Sequence, residues 1–358
     1  MAYEDYKKQL ESFLDEVIQK DATDLHISAG RPPIVRISSR LIALENYPVL
    51  TPEDTKNLAL SLLNPEQQEK FIAYKDIDLS FTYKDKARFR VNVFNQLGKV
   101  SIALRFIPNK IRTLQDLNLP PVLHQFTQAT QGFFLVVGPS GHGKSTALAA
   151  MIGEINQTRQ DHIITIEDPI EYIYPQEKCI IDQREVGTDV QDFHRGLRSM
   201  FREDADVVLI GEMRDAETIS TAMTAAETGH LIFSTLHTNT AAQTIDRIID
   251  IFPPHQQNQI RMQMASTLLG ILSRRLVPTV SGGLINAIEL LIANSAVRNL
   301  IREGKVHQID MLIETGSEEG MISLNRSLVD LVNRGEISYE SAETFSTDVR
   351  EFRMLMQR

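Results

Sequence analysis

The feature that most constrains this sequence is a glycine-rich segment at 138–145, Gly-Pro-Ser-Gly-His-Gly-Lys-Ser, which fits the pattern G-x-x-x-x-G-K-[ST]. It follows a continuous apolar run at 133–137 and precedes a stretch with helical spacing at 144–155. Glycines let the backbone curl so that consecutive amide groups face one anion, and the positive end of the following helix strengthens that field. The segment therefore predicts a phosphate-binding loop between a strand and a helix, in a domain that binds a nucleoside triphosphate.

The loop supplies most of the candidate nucleotide-binding residues. They are Gly138, Pro139, Ser140, Gly141, His142, Gly143, Lys144, Ser145 and the following Thr146. Lys144, also a candidate catalytic residue, can reach the β- and γ-phosphates, and the hydroxyl of Ser145 can bind Mg²⁺. His142 leaves two interpretations open: a variable position that faces solvent, or an imidazole near the phosphates that makes turnover depend on pH near neutrality.

Hydrolysis also needs an acidic residue at a strand end, and two apolar runs provide one. The run 163–166 continues into Glu167, and the run 207–210 is followed by Gly211 and Glu212. Ligands collect at the carboxyl ends of parallel strands, so both acids are expected at the same edge as the loop. Each would hold Mg²⁺ or polarise the attacking water, unless it only caps the next helix. We predict Glu212 as a catalytic residue and metal ligand, and Glu167 as a second catalytic acid.

A third apolar run, 231–234, leads into Thr235 and His237. These side chains either sense the γ-phosphate or are ordinary structural residues, and spacing alone does not decide between the two. Positive charge near the phosphate could come from the first part of the chain, where strand-like runs carry three arginines: Arg88, Arg90 and Arg105. They form a solvated strand face unless that domain packs over the nucleotide, where they would act as arginine fingers.

The spacing of apolar residues divides the chain into parts of different fold class. Residues 1–107 combine a helical stripe with short strands in a meander, which is typical of a small α+β domain. Continuous apolar runs that alternate with helices within 121–283 indicate an α/β domain with a buried parallel sheet. A linker at 108–120, marked by turn residues, separates the two, and 284–358 is expected to be mostly helical.

Composition narrows the class of protein. The net charge of −10 and the lack of a Lys/Arg run disfavour a nucleic-acid partner. No apolar stretch reaches the ~18 residues of a membrane-spanning helix, and the acidic N-terminus does not resemble a signal peptide. The single cysteine, Cys179, excludes an internal disulfide and a cysteine-based zinc cage. We therefore expect a cytosolic protein in a reducing compartment.

Together these motifs resemble those of the type IV pilus retraction ATPases, the PilT (twitching motility) family of the secretion-ATPase superfamily. The resemblance runs over nearly the whole chain. Besides the loop, it is carried by the stretches 24–33, 87–96, 166–171, 183–187, 210–215, 226–230, 235–239 and 244–250. The stretch 296–303, Ala-Val-Arg-Asn-Leu-Ile-Arg-Glu, is similar to the C-terminal signature associated with retraction in that family.

The resemblance implies a fold and a set of residue roles. The fold would be α/β, with a RecA-like P-loop NTPase domain, an N-terminal PAS-like α+β domain and a helical C-terminal part. Six residues would take roles from the family: the Walker B glutamate Glu212, the Asp-box acid Glu167, the His-box residues His230 and His237, and the arginines Arg90 and Arg105 that reach over from the N-terminal domain. On this basis His230 joins the candidate nucleotide-binding residues and His237 the catalytic ones.

The resemblance also implies an assembly and partners. The chain would form a homohexamer that uses ATP and Mg²⁺, with each nucleotide between the two domains of one subunit. ATP-driven domain closure would power pilus retraction, in which pilins leave the base of the fibre. The partners would be the inner-membrane pilus platform protein and an accessory retraction ATPase, which places the chain in the cytoplasm at the inner face of the inner membrane.

Four other functions stay open at this point. A pilus-extension or type II secretion ATPase resembles this chain through the core, but typically carries a four-cysteine zinc element that one cysteine cannot supply. The acidic balance disfavours a nucleic-acid translocase. The C-terminal signature favours the main retraction ATPase over the accessory one. Intact Lys144, Ser145 and Glu212 disfavour a ring subunit that does not hydrolyse ATP.

Overall fold

The structure is a computed structural model that describes residues 3–37, 40–84, 87–107 and 111–357. The chain folds into two compact units, each with a hydrophobic core of its own. The first unit takes the described residues up to 107 together with Glu171–Ile173, and the second takes the rest from Ile111. Within the described ranges, no helix is both long enough and apolar enough to cross a membrane.

Among its described residues, the first unit is an antiparallel sheet with three helices. The helices are α1 (Tyr3–Gln19), α2 (Pro52–Leu62) and α3 (Pro65–Tyr74). The strands are β1 (Asp24–Ser28), β2 (Ile34–Ile37), β3 (Arg40–Ala43), β4 (Asp76–Tyr83), β5 (Ala87–Gln96) and β6 (Lys99–Ile107). Their order is β3-β2-β1-β6-β5-β4, so the sheet consists of two meanders joined through β1 and β6. The meander predicted from the sequence is confirmed.

Alternation along β5 determines which side chains leave the core of the first unit. Phe89, Val91 and Val93 are fully buried, and successive residues of a strand point to opposite faces. Arg90 therefore projects from the other face and is exposed. The register of β5 and β6 places Arg105 directly opposite Arg90, so the two guanidinium groups share that face.

The second unit is built on a seven-stranded sheet. Its strands are β7 (Gly132–Val137), β8 (His162–Glu167), β9 (Ile180–Glu185), β10 (Val207–Ile210), β11 (Leu231–Leu236), β12 (Leu268–Pro278) and β13 (Leu284–Ile292). The helices up to β12 are α4 (His124–Thr127), α5 (Lys144–Thr158), α6 (Phe193–Met200), α7 (Ala216–Glu227), α8 (Ala241–Asp250) and α9 (Pro254–Thr267). Five further helices follow β13: α10 (Ser295–Arg302), α11 (Ile309–Thr315), α12 (Leu324–Asn333), α13 (Tyr339–Phe345) and α14 (Val349–Met356).

The order of the strands is β13-β12-β7-β11-β10-β8-β9. All neighbouring pairs are parallel except the hairpin of β12 and β13. Every residue of β7, β10 and β11 is buried, as expected for strands covered by helices on both faces. The buried parallel sheet predicted from the apolar runs is confirmed, with one antiparallel strand added at an edge.

Two of the predicted domain boundaries fall within folded parts of the second unit. The predicted linker 108–120 lies outside the described residues at 108–110, and from Ile111 onward it belongs to the second unit. Its Leu114, Leu117 and Leu119 are buried there. The boundary predicted at 284 falls inside the β12–β13 hairpin, because backbone pairing between these two strands begins at residue 284 itself. The helical part of the chain therefore begins after Ile292, and the remaining boundaries stay predictions.

Candidate nucleotide-binding site

The predicted loop lies between β7 and α5, at the carboxyl edge of the parallel strands. Gly138, Gly141 and Gly143 have φ angles of 142°, 79° and 76°, a region that residues with a Cβ rarely adopt. Helix α5 begins at Lys144, directly after the last of these glycines. Backbone amides and the positive end of a 15-residue helix thus meet at one point, which is the geometry that binds a phosphate group.

The Lys144 side chain is buried within this loop. Its Nζ donates to the carbonyl oxygens of Gly138 at 3.0 Å and Pro139 at 3.1 Å. It also lies 3.4 Å from Nδ1 of His237, which follows β11. An ammonium group held at the mouth of the loop is placed to exchange carbonyl partners for phosphate oxygens.

The His237 ring connects the loop to the acid after β10. Its Nδ1 lies within reach of Lys144 Nζ and, at 3.3 Å, of Ser140 Oγ, while its Nε2 lies 3.4 Å from Oε2 of Glu212. Lysine can only donate, so Nδ1 is the acceptor in the contact with Lys144, and Nε2 is the ring atom that faces the carboxylate. Side chains from three separate segments therefore form one chain of polar contacts, Lys144–His237–Glu212.

The Glu212 carboxylate is largely shielded from solvent. Its side chain is 14% exposed, and its Oε1 forms a 2.5 Å ion pair with Arg214, whose side chain is 75% exposed. Next to it, Thr235 donates from Oγ1 to the carbonyl oxygen of Gly211 at 2.7 Å. A shielded carboxylate that faces the loop through a histidine is suited to act on a water molecule beside the terminal phosphate.

The strand order sets the distance of each predicted residue from the loop. His237, Glu212 and Glu167 end or follow strands that lie one, two and three positions from β7. Strands are about 4.8 Å apart, so Glu167 lies roughly 14 Å to the side of the loop. It is buried and packs against Gly211, the neighbour of Glu212. Glu167 thus belongs to the same edge but is placed beside Glu212, not beside the phosphate loop.

His142 is anchored to the sheet. Its Nδ1 accepts a hydrogen bond from the backbone N of Leu276 on β12 at 3.0 Å, and the residue is half-buried. Burial lowers the pKa of His142, and the charges of Lys144, Arg275 and Arg274 lower it further. His142 is therefore held by β12 and only partly faces solvent, and its role at the nucleotide stays a prediction. The lowered pKa disfavours the charged form of the ring.

The structure does not bring His230 to the loop. Its carbonyl oxygen accepts from the backbone N of Gly132, the first residue of β7, whereas the loop follows the last residue of that strand. Six residues of strand separate the two ends, a distance of about 20 Å. The His230 ring instead meets Phe201 edge-on at 5.5 Å, and its Nδ1 contacts the carbonyl oxygen of Ala225. His230 therefore does not bind a phosphate at the loop of its own chain.

The predicted arginines lie in a row of charged residues across neighbouring strands of the first unit. The row consists of Arg36, Asp24, Arg105 and Arg90. The Nε of Arg105 donates to Asp24 at 2.9 Å, and Arg36 lies 3.6 Å from the same carboxylate. Burial tends to raise the pKa of Asp24, but the hydrogen bonds from Thr23 and Arg105 and the charge of Arg105 lower it overall. Like charges directly opposite each other on a sheet are destabilising, and Asp24 offsets part of the repulsion between Arg90 and Arg105, whose role toward a nucleotide stays a prediction.

Sequence reasoning missed two residues of the β12–β13 hairpin that hold the His237 segment. Ser273 donates from Oγ to the carbonyl oxygen of Asn239 at 2.7 Å, and Glu289 accepts from the backbone N of Ala241 at 2.7 Å. The two residues are paired across the hairpin. A carboxylate inside an apolar run was the available signal for Glu289, because a buried acid needs a specific partner.

Replacing Glu289 with glutamine should remove a pH dependence of stability. Burial raises the pKa of Glu289 to about 7, with a further rise from Asp310 and opposing effects of the Ala241 amide and Arg275. The folded chain thus binds this proton more tightly than the unfolded chain, so the stability contribution falls as pH rises from ~4.5 to ~7. Between pH 5 and pH 8, Glu289→Gln should gain about 2–3 kcal/mol in unfolding free energy relative to wild type.

Urea denaturation of both proteins at the two pH values measures this difference. Glutamine keeps an oxygen that can accept from Ala241, so the hydrogen bond itself is retained. Glu318→Gln, at an exposed position, is the matched control and should show no gain. A constant difference between Glu289→Gln and wild type across this range would contradict the prediction.

Known proteins share both the fold and the sequence of this chain. Residues 4–283 match the family model described as Type II/IV secretion system protein. The type IV pilus retraction ATPase PilT of Pseudomonas aeruginosa is 44% identical over 324 residues, which cover 90% of this chain and 94% of that protein. The type IV pilus ATPase PilU of the same organism is 38% identical over 350 residues, 98% of this chain and 91% of that protein.

A solved structure agrees with these matches. The crystal structure of the pilus retraction motor PilT with bound ADP superposes with a TM-score of 0.91 at 46% identity, over 96% of this chain and 98% of that one. The predicted fold class, an α/β RecA-like ATPase with an N-terminal PAS-like domain and a helical C-terminal part, is confirmed by this likeness. The chain therefore belongs to the type II/IV secretion system protein family and, within it, to the PilT pilus retraction ATPases.

Proposed function

We propose that this chain is the ATP-hydrolysing motor subunit that powers type IV pilus retraction. The observation that carries the proposal is the contact chain Lys144–His237–Glu212, which joins the phosphate loop to a shielded acid. It is supported by the PilT relatives, whose names state pilus retraction, and by the ADP bound to the PilT structure. A binding protein without turnover would not need an acid at this position.

The contacts suggest how the residues divide the work. ATP would occupy the loop, and its β- and γ-phosphates would replace the Gly138 and Pro139 carbonyls as partners of Lys144. That exchange would move the ammonium group relative to His237. Because His237 also contacts Glu212, binding of the terminal phosphate would change the position of the Glu212 carboxylate. Glu212 then orients and deprotonates the attacking water, with Glu167 beside it as the second acid.

Mg²⁺ fits the residues at this edge. Magnesium prefers oxygen ligands and takes many of them from phosphates and water, so one hydroxyl and one carboxylate suffice from the protein. Ser145, in the first turn of α5, and Glu212 are the residues that would supply them. When bound, the ion would neutralise charge on the phosphates.

We propose that Arg90 and Arg105 face the same nucleotide in a homohexamer. Their side-by-side placement on the first unit concentrates positive charge that would stabilise the γ-phosphate during hydrolysis. ATP would draw the two domains together and hydrolysis would release them, which is the work step. The partners would be the inner-membrane platform protein and an accessory retraction ATPase, with the chain acting at the cytoplasmic face of that membrane.

Lys144→Ala in the source cell tests this function. Without the ammonium group the loop loses its main charge contact with the phosphates, so retraction should stop and pili should accumulate on the surface. Surface pili are counted by shearing and immunoblotting, and motility is scored on agar. Lys178→Ala is the matched control, because Lys178 is exposed and its backbone N donates to the carbonyl oxygen of Asn156, twelve residues along α5 from Lys144. Cells without pili would contradict the proposal and indicate the extension role.

An accessory retraction ATPase is the second candidate. The type IV pilus ATPase PilU matches 98% of this chain at 38% identity, and the retraction ATPase PilT matches 90% at 44% identity, so this chain resembles more than one kind of type IV pilus ATPase. In that case pili of the Lys144→Ala strain would still retract, driven by a second ATPase. Measuring retraction with this chain as the sole retraction ATPase separates the two roles.

A further inference from the structure

Strand β12 forms the floor of the phosphate loop. The backbone carbonyl of Arg274 lies so close to Gly138 that a Cβ there would be 2.4 Å from the oxygen. At the other end of the loop, Nη1 of Arg274 donates to the carbonyl oxygen of Gly143. His142 accepts from Leu276 two positions along the strand. One strand thus contacts the beginning and the end of the loop.

The Arg274 guanidinium is the central part of this floor. The residue is only 2% exposed, and among the described residues it heads the fully buried side chains by volume. Its Nη2 donates to Oδ1 of Asn286 on β13, whose Nδ2 in turn donates to the carbonyl oxygen of Leu117. Asn286 therefore fixes the direction of the Arg274 side chain from one side, and its contact in the loop is with the backbone of Gly143.

We propose that Arg274 is a positioning residue that holds the loop in its nucleotide-binding shape before the nucleotide arrives. The carbonyl of Gly143 is the last one before α5 and lies in the same peptide plane as the N–H of Lys144, so fixing it fixes the direction in which that N–H points. The inference rests on the proposed function, because the shape that matters is the one that binds ATP. In this proposal Arg274 acts by holding the backbone of the loop and does not contact the substrate.

A positioning role affects binding more than turnover. Without Arg274 the loop visits other conformations, and the apparent affinity falls with the fraction of molecules that are competent to bind. Bound phosphates hold the loop in the same shape, so kcat at saturating ATP should stay close to that of wild type. Arg274→Met should raise the KM for ATP and the Kd for ADP at least ~10-fold, with kcat within about 3-fold of wild type. Arg274→Lys, which keeps one donor, should recover most of the affinity.

The neighbouring residue offers a matched control. Arg275 donates from Nη1 to the carbonyl oxygen of Phe345 at 2.9 Å, so it ties the same strand to the helical part of the chain. Arg275→Met should lower the thermal midpoint and leave the KM unchanged. If Arg274→Met does not fold, Asn286→Leu tests the same contact from its other side and should raise the KM about 3- to 10-fold.

Steady-state phosphate release and ADP titration of the purified full chain measure these values. A wild-type KM in Arg274→Met, or an equal rise in Arg275→Met, would overturn the positioning role alone. A rise that Arg274→Lys fails to reduce would also overturn it, since it would indicate a packing effect. Wild-type protein that binds no nucleotide would instead overturn the proposed function.

Discussion

Glu212→Gln is expected to reduce phosphate release by about 10²- to 10⁴-fold, because a general base contributes a factor of that size. Glutamine keeps the shape of the side chain and its place beside His237, but it cannot take a proton from water. ATP affinity should stay close to that of wild type, since Lys144 and the loop amides hold the phosphates. The loss corresponds to about 3–5 kcal/mol of transition-state stabilisation.

Two comparisons make this measurement specific. Glu167→Gln should cause a smaller loss, because Glu167 lies one strand farther from the loop. Glu217→Gln, five residues along the chain and 78% exposed, should leave turnover unchanged. A greater loss in Glu167→Gln than in Glu212→Gln would exchange the roles of the two acids. Wild-type turnover in Glu212→Gln would rule it out as the base.

The parts of the site that the sequence predicts correctly are those encoded by short segments. The loop, Glu212 and His237 each come after a continuous apolar run that forms a strand. Parallel strands bring their carboxyl ends to one edge of the sheet, so these residues lie together. The same rule was available for His230. That residue precedes the run 231–234, so the strand direction places it at the opposite edge, where the family motif does not correspond to a contact with the loop.

The parts that the sequence does not predict depend on strand register. Arg274 contacts Gly143 across 131 positions of the chain, and Ser273 contacts Asn239 across 34. Which residue of β12 faces which residue of the loop follows from how β12 pairs with β7, including an irregularity between Leu268 and Gly270. No local pattern encodes that offset. A polar residue within an apolar strand indicates a buried partner but does not identify it.

Gly138→Ala should disable the site because the new side chain would clash with β12. The effect does not depend on contact between that side chain and the phosphates. The new methyl group would lie 2.4 Å from the Arg274 carbonyl oxygen, a backbone atom that cannot turn away. Alanine is also strained at a φ of 142°. Backbone strain and overpacking together cost about 3–5 kcal/mol. Part of this free energy appears as lower stability of the sheet edge, and the rest appears as displacement of the loop. If the loop yields, ADP should bind at least ~100-fold more weakly, since each tenfold corresponds to ~1.4 kcal/mol.

Gly229→Ala separates the steric clash from backbone strain. Gly229 has a φ of 111°, lies at the opposite edge of the sheet, and has no described atom within 4 Å of its Cβ position. Its alanine variant should therefore lose only about 1–2 kcal/mol of stability and keep the affinity of the loop. Thermal unfolding and ADP titration of both variants measure the two costs. If Gly138→Ala matched Gly229→Ala in both, β12 would not be the floor of the loop, and the positioning role of Arg274 would lose its steric basis.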